Sequence, residues 1–201
     1  ATESINLVAA SWGRKFLKAG DEVVISEMEH HSNIIPWQFL RDELGVVLRI
    51  APVTDDGEFR LDEFAKHLGE RTKLVAITHM SNVLGTVVDV KTICHEARAR
   101  GIATVIDGSQ AAVHMPVDLA DIGCDFYAVT SHKLYGPTGA GALYARRERQ
   151  AEMRPFMGGG DMIREVTKEA VSYNDGPMKF EAGTPNIVET IGFGAALDYM
   201  T

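Results

Sequence analysis

Cysteine is scarce in this chain, which contains only Cys94 and Cys124 among its 201 residues. Two isolated cysteines form no disulfide framework and match no zinc-ligand spacing. No apolar run approaches the roughly 18 residues that a membrane-spanning helix needs, and the first residues lack the basic-then-apolar pattern of a secretory signal. These absences predict a protein without a metal site that works in a reducing, cytoplasmic setting and away from membranes.

Positive charge is also in short supply, with 20 lysines and arginines against 28 acidic residues and a net charge of −8. No basic run stands out, so we expect no binding to nucleic acid and no polybasic membrane patch. The apolar content of 45% and the charged content of 24% are ordinary for a globular protein. A chain of this length fits one α/β domain with a substantial core.

Short apolar runs alternate with amphipathic segments along the chain, which is typical of a mostly parallel sheet with helices on its faces. The first helix is predicted to begin at residues 1–4 and to end before Gly20. The glycine-rich stretch 155–177 is predicted to be a long loop. The other predicted helices are 33–44, 62–68, 89–100, 148–153 and 187–200, and the predicted strands are 22–26, 46–50, 73–77, 103–106, 126–129 and 141–145.

Two of the predicted strands end in residues that carry chemistry. Lys133 follows the 126–129 run and precedes a glycine-rich turn, whereas Asp107 directly follows the 103–106 run. Ligands of open α/β sheets lie outside the carboxyl ends of the strands. A lysine that forms a Schiff base and a carboxylate that pairs with the pyridine nitrogen suit a pyridoxal phosphate (PLP) site. The alternatives are a surface lysine and an aspartate that caps the next helix.

Other polar residues near these strand ends could complete such a site. Gln110 can donate an amide hydrogen bond to the phenolate oxygen of the cofactor, and Asn82 can join it. Thr2 opens a helix whose free N–H groups suit a phosphate, and Ser131 and His132 flank the lysine and can donate to the same phosphate. Loop residues of ordinary polarity are the alternative for Asn82 and Gln110.

Several motifs resemble the PLP core of the class V aminotransferase superfamily. They are DGSQ at 107–110, DFY at 125–127 and SHKLYGPTG at 131–139. MEHHSNIIPW at 28–37 and FEAGTPN at 180–186 resemble the cysteine desulfurases of the Suf sulfur-mobilisation type, a group in which selenocysteine lyase activity is common. The motifs keep the family's order over essentially the whole chain.

The resemblance implies a PLP fold type I large domain of three α/β/α layers, whose mostly parallel sheet has an antiparallel last strand. It implies that residues 1–201 are part of that domain, without one N-terminal strand and without the small C-terminal domain. It assigns His30 to stack on the pyridine ring and to take part in acid–base steps, and Thr184 to reach the phosphate across a dimer interface. His31 has no implied role beyond structure.

The implied function is that of a PLP-dependent cysteine desulfurase, which converts L-cysteine to L-alanine and leaves sulfur as an enzyme persulfide for iron–sulfur cluster assembly. L-selenocysteine is a second possible substrate, and the implied partners are a second copy in a homodimer and a sulfur-acceptor protein. Cys94 and Cys124 are predicted to be small packing residues, so the chain lacks the persulfide cysteine. The alternatives are another class V enzyme, such as a selenocysteine lyase or another amino-acid lyase, and an inactive PLP-binding fragment.

Overall fold

The computed structural model describes all residues from Ala1 to Thr201 as a mixed α/β fold. None of its helices combines the length and the apolar character that a membrane crossing requires. The strands are β1 Glu22–Ser26, β2 Val47–Ala51, β3 Thr72–Thr78, β4 Ala103–Asp107, β5 Phe126–Thr130, β6 Gly141–Ala145, β7 Ile163–Val166 and β8 Val171–Tyr173. The α-helices are α1 Thr2–Val8, α2 Arg14–Phe16, α3 Ile35–Leu44, α4 Leu61–Ala65, α5 Val90–Ala99, α6 Ala111–His114, α7 Leu119–Ile122, α8 Arg147–Glu152 and α9 Ile187–Met200.

The main sheet has six strands in the order β2-β1-β3-β4-β5-β6. The first five are parallel, and β6 pairs antiparallel with β5 at the edge. All six strands predicted from apolar runs are confirmed, with boundaries within about two residues. The predicted architecture of a mostly parallel sheet with an antiparallel last strand is therefore confirmed.

The four central strands, β1, β3, β4 and β5, are buried on both faces, as parallel sheets covered by helices are. Alternate residues enter two separate cores because successive side chains of a strand point to opposite faces. One core takes Val23 and Val105 together with residues of α1 and α3, such as Ile5 and Trp37. The other core takes the alternate strand residues, such as Ile106, with residues of α4 and α5. The two cores give the three layers that the sequence predicts.

The prediction of a long loop over 155–177 is wrong in part, because β7 and β8 form a separate two-stranded antiparallel hairpin there. Seven residues make up its strands, and almost all of them are exposed to solvent. Strands of four and three residues are too short for an apolar alternation to be recognised in the sequence. The first helix also differs from the prediction, since a π-helical turn at Ala9–Gly13 separates α1 from α2.

A polar network closes the amino end of the sheet, away from the strand ends that carry Lys133. Asp125 accepts hydrogen bonds from the backbone N–H of Thr104 at 2.9 Å and from Nε of Arg149 at 3.0 Å. The hydroxyl of Thr104 lies 2.9 Å from the backbone nitrogen of Asp125 and accepts its N–H. Asp125 of the DFY motif is therefore a structural residue that joins β4, β5 and α8.

A close packing contact lies directly beneath the turn after Asp107. The ring of Tyr127 packs against Gly108 so tightly that a Cβ at position 108 would lie only 1.9 Å from the ring carbon Cε1. The Tyr127 hydroxyl is 2.9 Å from Nδ1 of His79, and both side chains are buried. Glycine at position 108 therefore lets β4 and β5 keep the spacing that brings their ends together.

This contact predicts that Gly108→Ala lowers the free energy of unfolding by roughly 1–3 kcal/mol, the usual cost of forcing extra atoms into a packed core. The matched control is Gly194→Ala in α9, where an added Cβ meets nothing within 4 Å. An alanine there should be neutral or stabilising by up to about 1 kcal/mol. Urea denaturation of both variants measures the difference, and equal stabilities would contradict the packing described here.

Candidate active site

The carboxyl ends of β1, β3, β4 and β5 lie next to one another. This row of strand ends, rather than an outermost strand, is the edge of the sheet referred to below. Thr78 at the end of β3 pairs with Asp107 at the end of β4, and Asp107 pairs with Ala128 near the end of β5. The chain continues outward from β1 to β2 and then returns to β3 on the other side of β1. Ligands of open α/β sheets bind at such a change of direction, so this edge is the candidate site.

Asp107 keeps one carboxylate oxygen available at this edge. The residue is 5% exposed, and its Oδ1 accepts from the backbone N–H of Ser109 at 3.0 Å and from the Ser109 hydroxyl at 2.6 Å. Oδ2 has no hydrogen-bond partner in the protein. The residue that caps α6 is Gln110, so Asp107 is not a helix cap and can offer Oδ2 to a cationic N–H donor.

Lys133 occupies the end of a 3-10 turn, Ser131–Lys133, that directly follows β5. Its side chain is half-buried, and Nζ takes part in no hydrogen bond or ion pair. Burial lowers the pKa of the Ala1 amino group, the Asp107 carboxylate raises that pKa, and the Lys133 ammonium lowers it. The charges of Asp107 and Lys133 therefore both reach the Ala1 amino group, and their roles at a cofactor stay a prediction.

His30 follows β1 and is oriented by a backbone contact. Its Nδ1 accepts the N–H of Ser32 at 3.1 Å, so the proton of the neutral ring is on Nε2. His31 begins a 3-10 turn, and the two imidazole rings lie 6.0 Å apart with 44° between their planes. Both histidines are exposed, and His31 forms no hydrogen bond through its ring.

The residues predicted to hold a phosphate differ in their surroundings. Thr2 begins α1, and its hydroxyl lies 2.7 Å from the hydroxyl of Ser32, which connects it to the turn of His30. The ring of His132 contacts the hydroxyl of Thr130 through Nδ1 at 3.0 Å. Sequence reasoning missed Thr130, because its contact with His132 depends on how the backbone turns from β5 into the 3-10 turn.

Ser131 has a different environment from its neighbours. Its hydroxyl is fully buried without a hydrogen-bond partner and packs directly against Gly136. The carbonyl of Ser131 accepts the N–H of Leu134 at 2.8 Å and that of Gly136 at 3.0 Å. The phosphate role of Ser131 stays a prediction, and its observed contacts are those of a residue that shapes the turn around Lys133.

The three remaining predicted residues make no side-chain hydrogen bonds. Asn82 is exposed beyond β3, and Gln110 is half-buried at the start of α6, so both amides are available to a ligand at the sheet edge. Thr184 is exposed and contacts none of the other predicted residues by a hydrogen bond. Its neighbour Asn186 donates to the carbonyl of Gly139 at 2.9 Å, which ties that segment to the glycine turn after Lys133.

Glu29 is a buried carboxyl that the sequence did not single out. One of its oxygens accepts from the Ser26 hydroxyl and the other from Nδ2 of Asn33 at 2.7 Å, while Oδ1 of Asn33 accepts from the Trp37 indole at 3.1 Å. Burial raises the pKa of Glu29 to about 7, and the Asp107 charge adds to this rise. Hydrogen bonds from Ser26, Asn33 and the Thr78 backbone oppose it.

Cys94 and Cys124 are confirmed as packing residues. They are 1% and 0% exposed and belong to the core between the sheet and α5. Burial raises the pKa of both thiols to about 12, so neither is a thiolate near neutral pH. A thiol without appreciable thiolate is a poor nucleophile, and the candidate site therefore contains no reactive sulfur of its own.

The raised pKa of Glu29 predicts a dependence of stability on pH. Folding favours the protonated form, so the free energy of unfolding should be highest below about pH 4.5, the ordinary pKa, and fall as pH rises through about 7. The fall amounts to about 3 kcal/mol at 1.36 kcal/mol per pKa unit. Urea titrations of the chain and of Glu29→Gln at several pH values measure it, because the amide cannot titrate.

The exposed neighbour Glu27 provides the matched control, since Glu27→Gln makes the same chemical change outside the buried network. The Glu29→Gln variant should lose the fall in stability, whereas Glu27→Gln should retain it. An unchanged slope in Glu29→Gln would show that the buried carboxyl does not take up a proton in this range.

Known proteins are similar to this chain in sequence and fold over its whole length. The sequence is 53% identical over 199 residues to a probable cysteine desulfurase of Xylella fastidiosa (strain 9a5c), a match that covers 99% of this chain and 48% of that protein. The structure aligns with the cysteine desulfurase CsdA of Escherichia coli at a TM-score of 0.96 and 39% identity, over 99% of this chain and 50% of that one.

A more distant structure is that of C-DES, which carries glycine covalently linked to its PLP cofactor. It aligns at a TM-score of 0.86 and 26% identity, over 99% of this chain and 53% of that one. The chain spans about half the length of the curated relatives it matches. The sequence model of the aminotransferase class-V family matches residues 1–201, and the chain therefore belongs to that family.

Proposed function

We propose that this chain is the PLP-binding part of a cysteine desulfurase, an enzyme that converts L-cysteine to L-alanine and keeps the sulfur as a protein persulfide. The observation that carries the proposal is the free Oδ2 of Asp107 together with the unpaired amine of Lys133 on neighbouring strand ends. Relatives at about 50% identity bear the name cysteine desulfurase. Residues 1–201 are proposed to be the larger, cofactor-binding domain of the enzyme.

The residues at the sheet edge fit the groups that PLP presents. Asp107 can accept the ring N–H through Oδ2 and keep that nitrogen protonated, while Lys133 can bind the aldehyde covalently through Nζ. Gln110 and Asn82 have free amides for the phenolate oxygen, and His30 can lie against the ring face. When bound, PLP supplies an electron sink for the bonds at the α-carbon of the substrate.

The phosphate has donors at two places on the same edge. The N-terminus of α1 contributes backbone N–H groups and the Thr2 hydroxyl, and the turn after β5 contributes His132. Thr130 lies against His132 and orients its ring through the 3.0 Å contact at Nδ1. We propose that Ser131 supports this turn from within and that Thr184 serves the phosphate of a second subunit.

Lys133 is proposed to perform two tasks in turn. It would hold the cofactor covalently through Nζ, and its amine, when not bonded to the cofactor, would move the α-proton of the substrate. Removal of a proton requires the unprotonated amine at Nζ, since an ammonium has no lone pair to accept it. His30, with its proton on Nε2, is placed for a further acid–base step on the open side of the site.

The sulfur must be taken by a cysteine outside residues 1–201, because Cys94 and Cys124 are buried with raised pKa values. That cysteine would attack the substrate sulfur and retain it as a persulfide, which a sulfur-acceptor protein removes for iron–sulfur cluster assembly. We propose a cytoplasmic enzyme, in keeping with unpaired cysteines, that binds neither nucleic acid nor membrane. The acidic net charge of −8 supports the absence of a nucleic-acid partner.

A homodimer is proposed because apolar side chains are exposed on α9 and on the loop after Asn82. Val83 is 81% exposed, Val188 is 77% exposed and Ile191 is 68% exposed. Contact with a second copy would remove this apolar surface from water and so favour association.

The proposal predicts that Lys133 alone binds the cofactor covalently. After incubation with PLP and reduction by borohydride, the wild-type chain should carry the cofactor on the peptide that contains Lys133, as measured by mass spectrometry. Lys133→Ala should lose both the added mass and the absorbance of the lysine-bound cofactor. The exposed Lys73→Ala is the matched control and should retain both. A labelled peptide elsewhere in the chain would refute the assignment.

A second prediction concerns the sulfur step. The 201-residue chain, loaded with PLP and given excess L-cysteine in a single-turnover experiment, should form no protein persulfide, since both of its thiols are buried with a pKa of about 12. Persulfide and alanine are detected separately. Stoichiometric persulfide on Cys94 or Cys124, abolished by replacement with serine, would show that the nucleophile lies inside this chain.

A further inference from the structure

We propose that Glu29 is a positioning residue of this site: it is the terminal acceptor of a buried hydrogen-bond chain that fixes the turn presenting His30. The proposal rests on the proposed function only in that His30 is taken to face the cofactor. Its structural basis is present in the chain without PLP: the Glu29 carboxyl is 7% exposed and accepts from two side chains, Ser26 of β1 and Asn33 of the 3-10 turn.

The direction of this hydrogen-bond chain is fixed by chemistry. The indole N–H of Trp37 can only donate, so the amide of Asn33 must turn Oδ1 toward Trp37 and its NH₂ toward Glu29. Position 29 must therefore offer an acceptor to Asn33. A carboxylate also accepts from the Ser26 hydroxyl without any rearrangement.

These contacts join three elements on either side of His30. Ser26 is the last residue of β1, Asn33 closes the 3-10 turn, and Trp37 is a fully buried residue of α3. His30 is the residue next to Glu29, and its carbonyl accepts the N–H of Asn33 at 2.7 Å. Glu29 and Asn33 thus hold the backbone of His30 from both sides.

The imidazole of His30 depends on this backbone because little else holds it. The ring is exposed, and its one hydrogen bond is to the N–H of Ser32, two residues further on in the same turn. Because the His30 ring is held only within its own turn, its position depends on how well that turn is fixed. Removal of the acceptor at position 29 would leave the Asn33 amide unpaired in the core and release the turn.

Three variants separate positioning from general stability. Glu29→Leu removes the acceptor, and Glu29→Gln keeps one, since its oxygen can face Asn33 while its NH₂ faces the Ser26 hydroxyl, which can rotate to accept. Thr104→Val removes a buried hydroxyl from the network with Asp125 at the opposite end of the sheet. It is the control for lost stability without any effect on position 29.

Two measurements on the chain without PLP distinguish these variants. The indole N–H signals of the two tryptophans report on the network directly, because Trp37 donates to Asn33 whereas the indole nitrogen of Trp12 has no partner and serves as an internal reference. Hydrogen exchange of the Ser32 and Asn33 amides reports on the turn, since both donate to His30.

We expect Glu29→Leu to shift the Trp37 signal and to speed exchange at both amides by about tenfold or more, as local opening does. Glu29→Gln and Thr104→Val should keep the wild-type values. In the loaded chain, Glu29→Leu should weaken PLP binding by about tenfold, and Glu29→Gln should restore it. If Glu29→Leu does not fold, Ser26→Ala decides, because it removes one of the two side-chain donors and should speed exchange at the same amides.

Two results would overturn the proposal. One is that Glu29→Leu, or Ser26→Ala in its place, exchanges its Ser32 and Asn33 amides no faster than Thr104→Val does. The other is that Glu29→Gln fails as severely as Glu29→Leu, which would assign the effect to charge rather than to the acceptor. Both outcomes are measured by hydrogen exchange on the chain without PLP. If the wild-type chain binds no PLP while the exchange results are as expected, the proposed function fails and the positioning role of Glu29 stands.

Discussion

The burial of four neighbouring parallel strands, β1, β3, β4 and β5, on both faces is the constraint on which the rest of this structure depends. Side chains in the middle of the strands have no access to solvent, so ionisable groups are placed where the strands end. The parallel direction brings four such ends together at one edge, where Asp107 and Lys133 lie. The same constraint places the Asp125 network at the opposite edge. The candidate site and the stabilising Asp125 network therefore lie at opposite ends of the strands.

Most of the fold could be predicted because burial leaves a strong signal in the sequence. Runs such as 103–106 and 126–129 are apolar throughout, and glycines such as Gly45, with φ of 74°, end the helices that cover them. The hairpin of β7 and β8 could not be predicted, because its strands have only four and three residues and lie on the surface. Pairing between such strands depends on the fold around them rather than on their composition.

The site was predictable to the extent that strand ends are predictable. Asp107 and Lys133 follow apolar runs, and the structure places those runs side by side as β4 and β5. The sequence could not tell which hydroxyl near Lys133 contacts His132, because that depends on how the backbone turns from β5 into the 3-10 turn. The structure gives this contact to Thr130 and buries Ser131. Glu29 was also hidden from sequence reasoning, since an isolated glutamate is usually exposed.

The two buried cysteines have a consequence for a protein whose relatives handle reactive sulfur. Exchange between thiols and persulfides requires a thiolate as the attacking group. A pKa of about 12 leaves roughly one thiol in 10⁵ deprotonated at pH 7. Cys94 and Cys124 are thereby insulated from sulfur exchange and from oxidation at the surface. Persulfide sulfur near this fold would therefore not be transferred to Cys94 or Cys124.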